Sequence, residues 1–325
     1  MNMMRINFTC RVNKFTRSWI NGKKRLWIII LLVIILFILI AFEFQAKEKT
    51  GSNENTHIMY RVIEGDPSLT ILFLHGLGEN LRTWEKIENQ LKIPYRLLFV
   101  DLPGHGQSPL QRRTNYSHDS LTKLLWEFVG DIGAGDLMIV GHSLGGNLAL
   151  RMAAVRPEKI KGLFLLSPSV FDTRGFPFPR LITNNIFLRP FLNAVIRRMV
   201  RSPERLTKIL QQAVFDETVV DEGLIERIIK PIIDNPKSYL TLIYLFRDSS
   251  RNRKLPDFRK IHLPVLVING AEDRWVKPEE ALRLTNILSE CELILLPFCG
   301  HMPQEEKPNE VARKLEEFIK NLKGE

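Results

Sequence analysis

Hydrophobic and polar positions fall into three regimes along the chain. Residues 26–42 are an uninterrupted block of Leu, Ile, Val, Phe, Trp and Ala. From about residue 58 onward, short apolar runs alternate with segments of helical period. The runs are 58–63, 70–74, 96–100, 137–140, 162–166, 265–268 and 292–296. Several are bounded by Gly, Pro, Asp or Asn, as buried strands are. Between them, 121–132, 147–155, 279–288 and 310–322 carry the 3.6-residue period. Strands alternating with helices predict an α/β fold, a mostly parallel sheet with helices on both faces. The alternation breaks between 166 and 263, where only helical period is seen, at 189–200, 204–214 and 224–233. A loop of that length without structure of its own is uncommon. The pattern therefore predicts a helical cap at 170–262, inserted between core segments 58–169 and 263–325. No internal repeat is visible.

The apolar block changes the picture at the N-terminus. Its 17 residues make a helix of about 25 Å, close to the roughly 30 Å of a bilayer's hydrocarbon core. A cleavable signal peptide usually has an apolar region of about 7–15 residues and a small-residue cleavage site. Here a 25-residue basic stretch precedes the block, and Ala41-Phe42-Glu43 and Phe44-Gln45-Ala46 are poor sites. An uncleaved signal-anchor helix is expected. Arg5, Arg11, Lys14, Arg17, Lys23, Lys24 and Arg25 precede it, whereas Lys47, Lys49 and Arg61 follow among Glu43, Glu48 and Glu54. The positive-inside rule then keeps the tail, 1–25, cytoplasmic and puts the rest on the extracytoplasmic side. Residues 43–57, polar and without apolar period, read as a linker.

Composition adds limits. The 325 residues are 45% apolar and 25% charged, ordinary for a globular chain large enough to bury a core without disulfides. The net charge of +10 would suggest nucleic acid, but seven positive charges belong to the first 42 residues, which hold no acid. The remaining 39 basic and 36 acidic residues leave +3, so no nucleic-acid footprint is indicated on the folded part. The cap segment carries 17 basic and 10 acidic residues, net +7. That charge reads either as the solvated side of amphipathic helices or as a basic face near anionic lipid headgroups. Three cysteines exclude a disulfide scaffold. Cys291 and Cys299 bracket a predicted strand that holds their Cα atoms about 20 Å apart, beyond disulfide reach. No zinc-type spacing and no phosphate-binding glycine loop after a strand is present, so neither metal nor cofactor is expected.

The candidate chemistry sits where the predicted strands end. Gly141-His142-Ser143-Leu144-Gly145 follows the strand 137–140 and opens a helix. Such a corner projects the middle hydroxyl into solvent, and the flanking glycines avoid Cβ clashes. The chain here resembles the α/β-hydrolase superfamily, and the resemblance covers nearly all of 57–325. A serine needs a base to take its proton and a third group to orient that base. His301 follows the run ending at Leu296, and Asp273 follows the run ending at Ile268. The order Ser143, Asp273, His301 is the one the resemblance requires. Glu272 is the alternative acid, disfavoured by the family's G-x-x-D pattern. His57, His118 and His262 read as surface residues. His142 reads as packing that points away from the nucleophile, and His105 as part of a structural turn.

Attack on a carbonyl creates an oxyanion that needs two backbone N–H donors. Leu144, the residue after the nucleophile, is one candidate. The resemblance implies Leu77, in His75-Gly76-Leu77-Gly78, as the other, with His75 a structural prop. Serine at 143 separates the chain from relatives with an Asp nucleophile and points to acyl transfer. Phe176 and Phe178 in the cap, with Trp84 and Trp275 flanking the site loops, are candidate substrate contacts, although the same residues could equally pack helices onto the sheet. The layout of anchor, core, cap and Cys-Gly-His motif resembles membrane-anchored monoacylglycerol lipases, which implies a small ester or lipid substrate. A carbon–carbon bond hydrolase, a prolyl-iminopeptidase-like peptidase and an inactive anchored binding module are the alternatives. Nothing in the pattern sets the oligomeric state.

Overall fold

The computed structural model describes residues 48–111, 115–171, 189–235, 237–249 and 255–324. The expected basic tail and anchor, the start of the linker, Phe176 and Phe178 lie outside these residues. Among the described residues, no helix is long and apolar enough to cross a membrane.

Eight strands make one sheet: β1 (Glu48–Ser52), β2 (Met59–Ile63), β3 (Asp66–Leu74), β4 (Tyr95–Val100), β5 (Leu137–His142), β6 (Ile160–Leu166), β7 (Val265–Gly270) and β8 (Cys291–Leu296). Their order is β1-β2-β4-β3-β5-β6-β7-β8. β1 and β2 pair antiparallel, β2 pairs antiparallel with β4, and every other pairing is parallel. All seven apolar runs are strands. β1 corrects the linker reading of 43–57: Glu48–Ser52 pairs with β2 from Glu48↔Ile63 to Ser52↔Met59. Its sequence, EKTGS, shows no alternation because an edge strand is held by backbone hydrogen bonds rather than by side-chain burial. A Cβ at Gly51 would stand 2.9 Å from the Tyr60 hydroxyl, so glycine admits that ring beside the strand.

Among the described residues, the longer helices are α1 (His118–Asp131), α2 (Leu144–Val155), α3 (Arg189–Val200), α4 (Pro203–Ala213), α5 (Ser238–Ser249), α6 (Pro278–Thr285) and α7 (Pro308–Lys323). Ser117 caps α1 by accepting the Ser120 N–H, prolines open α4, α6 and α7, and left-handed Gly324 closes α7. The helix expected at 224–233 is present as a continuous helical run, Glu222–Asp234, whose middle turn, Ile225–Ile229, is wound as a π-turn. α5 had no distinct signal, since its apolar residues are spread too widely to mark one face. The described residues between β6 and β7 contain no strand.

Side chains of the central strands divide between two cores. Leu72, Ile139 and Leu165 face α1, α2 and α6, whereas Phe73, Val140 and Phe164 face α7. Each such buried side chain is worth about 1.5–3 kcal/mol relative to exposure. β3, β5, β6, β7 and β8 run parallel, so the loops after them converge at one edge of the sheet.

Candidate active site

Ser143 is the single residue between β5 and α2, and its backbone is left-handed at φ 49°, ψ −110°. A non-glycine residue there stores strain of order 1–3 kcal/mol. The surroundings hold it in place. Its N–H donates to the Leu166 carbonyl at 3.0 Å, and its carbonyl accepts from Asn147 N at 3.2 Å and Ser169 N at 3.1 Å. A Cβ at Gly141 would lie 2.7 Å from the Gly145 carbonyl oxygen. The turn therefore closes only with glycine at that position.

Asp273 lies three residues past β7 and His301 five past β8. One oxygen of Asp273 accepts the N–H groups of Trp275 at 2.8 Å and Val276 at 2.9 Å, which orients the carboxylate. The other accepts Nδ1–H of His301 at 2.8 Å. Because that bond places the ring proton on Nδ1, the Nε2 lone pair is left for Ser143 Oγ–H at 3.0 Å. Burial of Asp273 opposes its charge, but His301 and these hydrogen bonds prevail and hold its pKa below the ordinary carboxylate value. Glu272 serves differently, accepting the Cys299 N–H at 3.0 Å. Glu306 accepts Gly300 N at 2.9 Å and Phe215 N at 2.8 Å. His301 N–H itself donates to the Ala213 carbonyl at 2.6 Å, so the end of α4 rests on the histidine loop.

The turn after β3 lies beside this corner, since Leu74 is in register with Gly141. Leu144 is the first residue of α2, where N–H groups lack intrahelical acceptors. Leu77 lies in the turn with left-handed Gly78 behind it. His75 props that turn: Nδ1–H donates to the Gly76 carbonyl at 2.8 Å and Nε2 accepts Leu102 N–H at 2.9 Å. Burial, with His105 nearby, drives its pKa down to about 3.

Two sequence readings need correction. Trp84 does not line the site; it is fully buried in the α7-side core, edge-on to Phe73 at 5.3 Å between ring centres. Nor does His142 simply pack. Its Nε2 lies 2.8 Å from the His301 carbonyl oxygen and its Nδ1 2.9 Å from Glu79 Oε1. The sequence marks Glu79 only as an acid three residues after Gly76 in the turn that follows β3. Trp275 does border the site, 42% exposed with its ring 5.2 Å from that of His301. Cys291 and Cys299 are free thiols.

The model of the alpha/beta hydrolase fold family matches residues 70–308, which spans the whole constellation. The chain belongs to that family, and with it to the hydrolases. Among similar proteins, Uncharacterized hydrolase YugF of Bacillus subtilis is 27% identical over 82% of this chain and 96% of its own. Lipase 3 of a Moraxella species is 25% identical over 80% of this chain and 79% of its own. A 2-hydroxy-6-oxononadienedioate/2-hydroxy-6-oxononatrienedioate hydrolase of Burkholderia vietnamiensis is 26% identical over 79% of this chain and 88% of its own.

Proposed function

We propose that the protein is a serine hydrolase that cleaves carboxylic esters, acylglycerols or similar lipid-like esters, through an acyl-enzyme on Ser143. The observation that carries this is the series Ser143 Oγ, His301, Asp273, at 3.0 and 2.8 Å. In this reading Ser143 Oγ attacks the ester carbonyl as His301 Nε2 takes its proton. The oxygen of the tetrahedral adduct accepts the N–H groups of Leu77 and Leu144. Collapse expels the alcohol, which takes the proton back from His301. Water, deprotonated by the same nitrogen, then releases the acid. Asp273 holds the imidazole in its tautomer and balances its transient charge.

Similarity to Lipase 3 supports an ester substrate. Similarity to the 2-hydroxy-6-oxo-diacid hydrolase supports a second reading, hydrolysis of a carbon–carbon bond on the same scaffold. A panel of p-nitrophenyl esters, monoacylglycerols and a 2-hydroxy-6-oxo-dienoate separates them. Ester turnover together with fluorophosphonate labelling of Ser143 is expected; turnover of the dienoate alone would establish the second reading, and an inert Ser143 an inactive binding module.

The apolar block and the charge asymmetry around it support a signal-anchor at 26–42 that holds the enzyme on the extracytoplasmic side, with 170–262 as a cap over the site. The full chain is then expected in the membrane fraction, with its hydrolase portion digested by protease added outside; a soluble full-length chain would overturn this.

A further inference from the structure

His142 sits against the nucleophile with its side chain 1% exposed, facing Glu79 at 7%. Both of its ring nitrogens lie against acceptors. Nε2 is 2.8 Å from a main-chain carbonyl, and Nδ1 is 2.9 Å from a carboxylate oxygen, an ion-pair contact that lies off the direction a ring N–H would need for a hydrogen bond. A neutral imidazole has one N–H, so one contact would then set a lone pair against an acceptor. Moving the proton to Glu79 would reverse the ordinary acidities of the two groups, 4.5 and 6.5. It would also oppose the Gly76 N–H, which donates to the second Glu79 oxygen at 2.9 Å.

We infer that His142 is held as an imidazolium by Glu79, and that this buried ion pair is a positioning device joining the oxyanion turn, the nucleophile corner and the histidine loop. The inference rests on the serine-hydrolase reading. The chain of contacts is continuous: Gly76 N–H to Glu79, Glu79 to His142, His142 Nε2–H to the His301 carbonyl. It links the turn after β3 and the residue before Ser143 to the main chain of its base. The charged groups facing His142 agree with this. Burial opposes its charge, but Glu79, Asp273 and the His301 carbonyl raise its pKa above the ordinary value. Burial likewise opposes the charge of Glu79, yet His142 brings it down to about 2. His75, on the same turn, is neutral, its pKa down to about 3, and the His301 ring lies 5.0 Å from that of His142. A cation there is tolerated only because Glu79 balances it.

The pair is tested on the full chain in detergent. In protein labelled with ¹⁵N-histidine, the His142 ring, assigned by its loss in His142→Gln, is expected to show two protonated nitrogens at pH 8. In Glu79→Gln, the unpaired cation is expected to give up a proton, leaving one bare nitrogen. With p-nitrophenyl butyrate, Glu79→Gln and His142→Gln are each expected to lower kcat about 10–100-fold, as a displacement near 1 Å does, with KM changed less than about twofold. The double variant is expected to be no worse than either single one, because the partners act as a unit. A bare nitrogen on wild-type His142 at pH 8, or additive losses, would overturn the inference. If the variants fail to fold, the wild-type spectrum decides by count: a doubly protonated ring is expected at pH 8, and none at all would overturn the inference. Fluorophosphonate labelling of wild-type Ser143 tests the underlying reading separately, since failure to label leaves the spectrum of His142 to speak for the pair.

Discussion

A Cβ at Gly145 would stand 2.0 Å from the Leu74 carbonyl oxygen and 2.8 Å from that of His75, both backbone atoms that cannot yield. Gly145→Ala must therefore push α2 away from the end of β3, separating Ser143 from the turn at 75–78. The expected outcome is a Tm lowered by at least about 5 °C, the equivalent of 1–2 kcal/mol, with ester turnover lost more completely than unfolding explains. Ser143 itself gives a sharper contrast. Ser143→Ala should lower kcat by about 10⁴–10⁶ and keep the backbone strain, whereas Ser143→Gly should be equally inactive but about 1 kcal/mol more stable, because glycine accepts φ 49° without penalty. Chemical denaturation of the two variants side by side checks this; equal stability would remove strain from the account. At this scale Ser143, Asp273 and His301 were legible because each follows a strand in a recognisable local motif. Glu79 and His142 were not, since an acid and a histidine 63 positions apart carry no mark of facing each other. Trp84 misled because an aromatic side chain near a loop looks alike in a sequence whether it points into the core or toward a substrate.

Between elements, the helical residues between β6 and β7 meet the rest of the fold through a buried cluster of charge. Arg227, in the π-turn Ile225–Ile229, reaches Glu305 at 2.8 Å, and Lys86 reaches the same oxygen at 3.1 Å. Asn80, next to Glu79, donates to the Arg227 carbonyl at 2.7 Å. The Glu305 side chain has no exposed surface, and burial raises its pKa even with two cations beside it. Arg227→Ala would leave that carboxylate with one partner in an apolar setting. It should cost about 3 kcal/mol in urea unfolding, more than a surface charge removal, and the loss should shrink at low pH as Glu305 takes up a proton. A loss under about 0.5 kcal/mol would show that the contact contributes nothing to holding this helical run on the sheet. The strands were legible as apolar runs, and 189–200 matched α3 residue for residue. The π-turn was not, because its extra residue per turn leaves the apolar spacing of IERII unchanged.

Across the whole molecule, buried neutral histidines set the response to acid. Burial depresses His75 to about 3 and His105 to about 4, against 6.5 for an ordinary imidazole. Between pH 6.5 and about 4 the unfolded chain binds protons the folded chain refuses, so stability falls as pH falls, by up to about 1.4 kcal/mol per unit for each group. Asp101, raised by burial to about 6, works the other way from about pH 6 down to 4 and offsets part of the loss. Glu79, at about 2, adds its own loss below pH 4.5. Calorimetry should show Tm declining from pH 7 to pH 4, with a shallower decline in His105→Asn; a variant as steep as wild type would contradict that source. The sheet was readable from the order of apolar runs, but not where it stops. β1 lies at its margin, with Lys49 paired to Glu64 and Glu48 to Arg61. A fragment designed to begin at residue 54 would discard this strand and leave the outer row of β2 amides and carbonyls open to any extended peptide, so that shortened protein should self-associate where one begun at residue 48 stays dispersed.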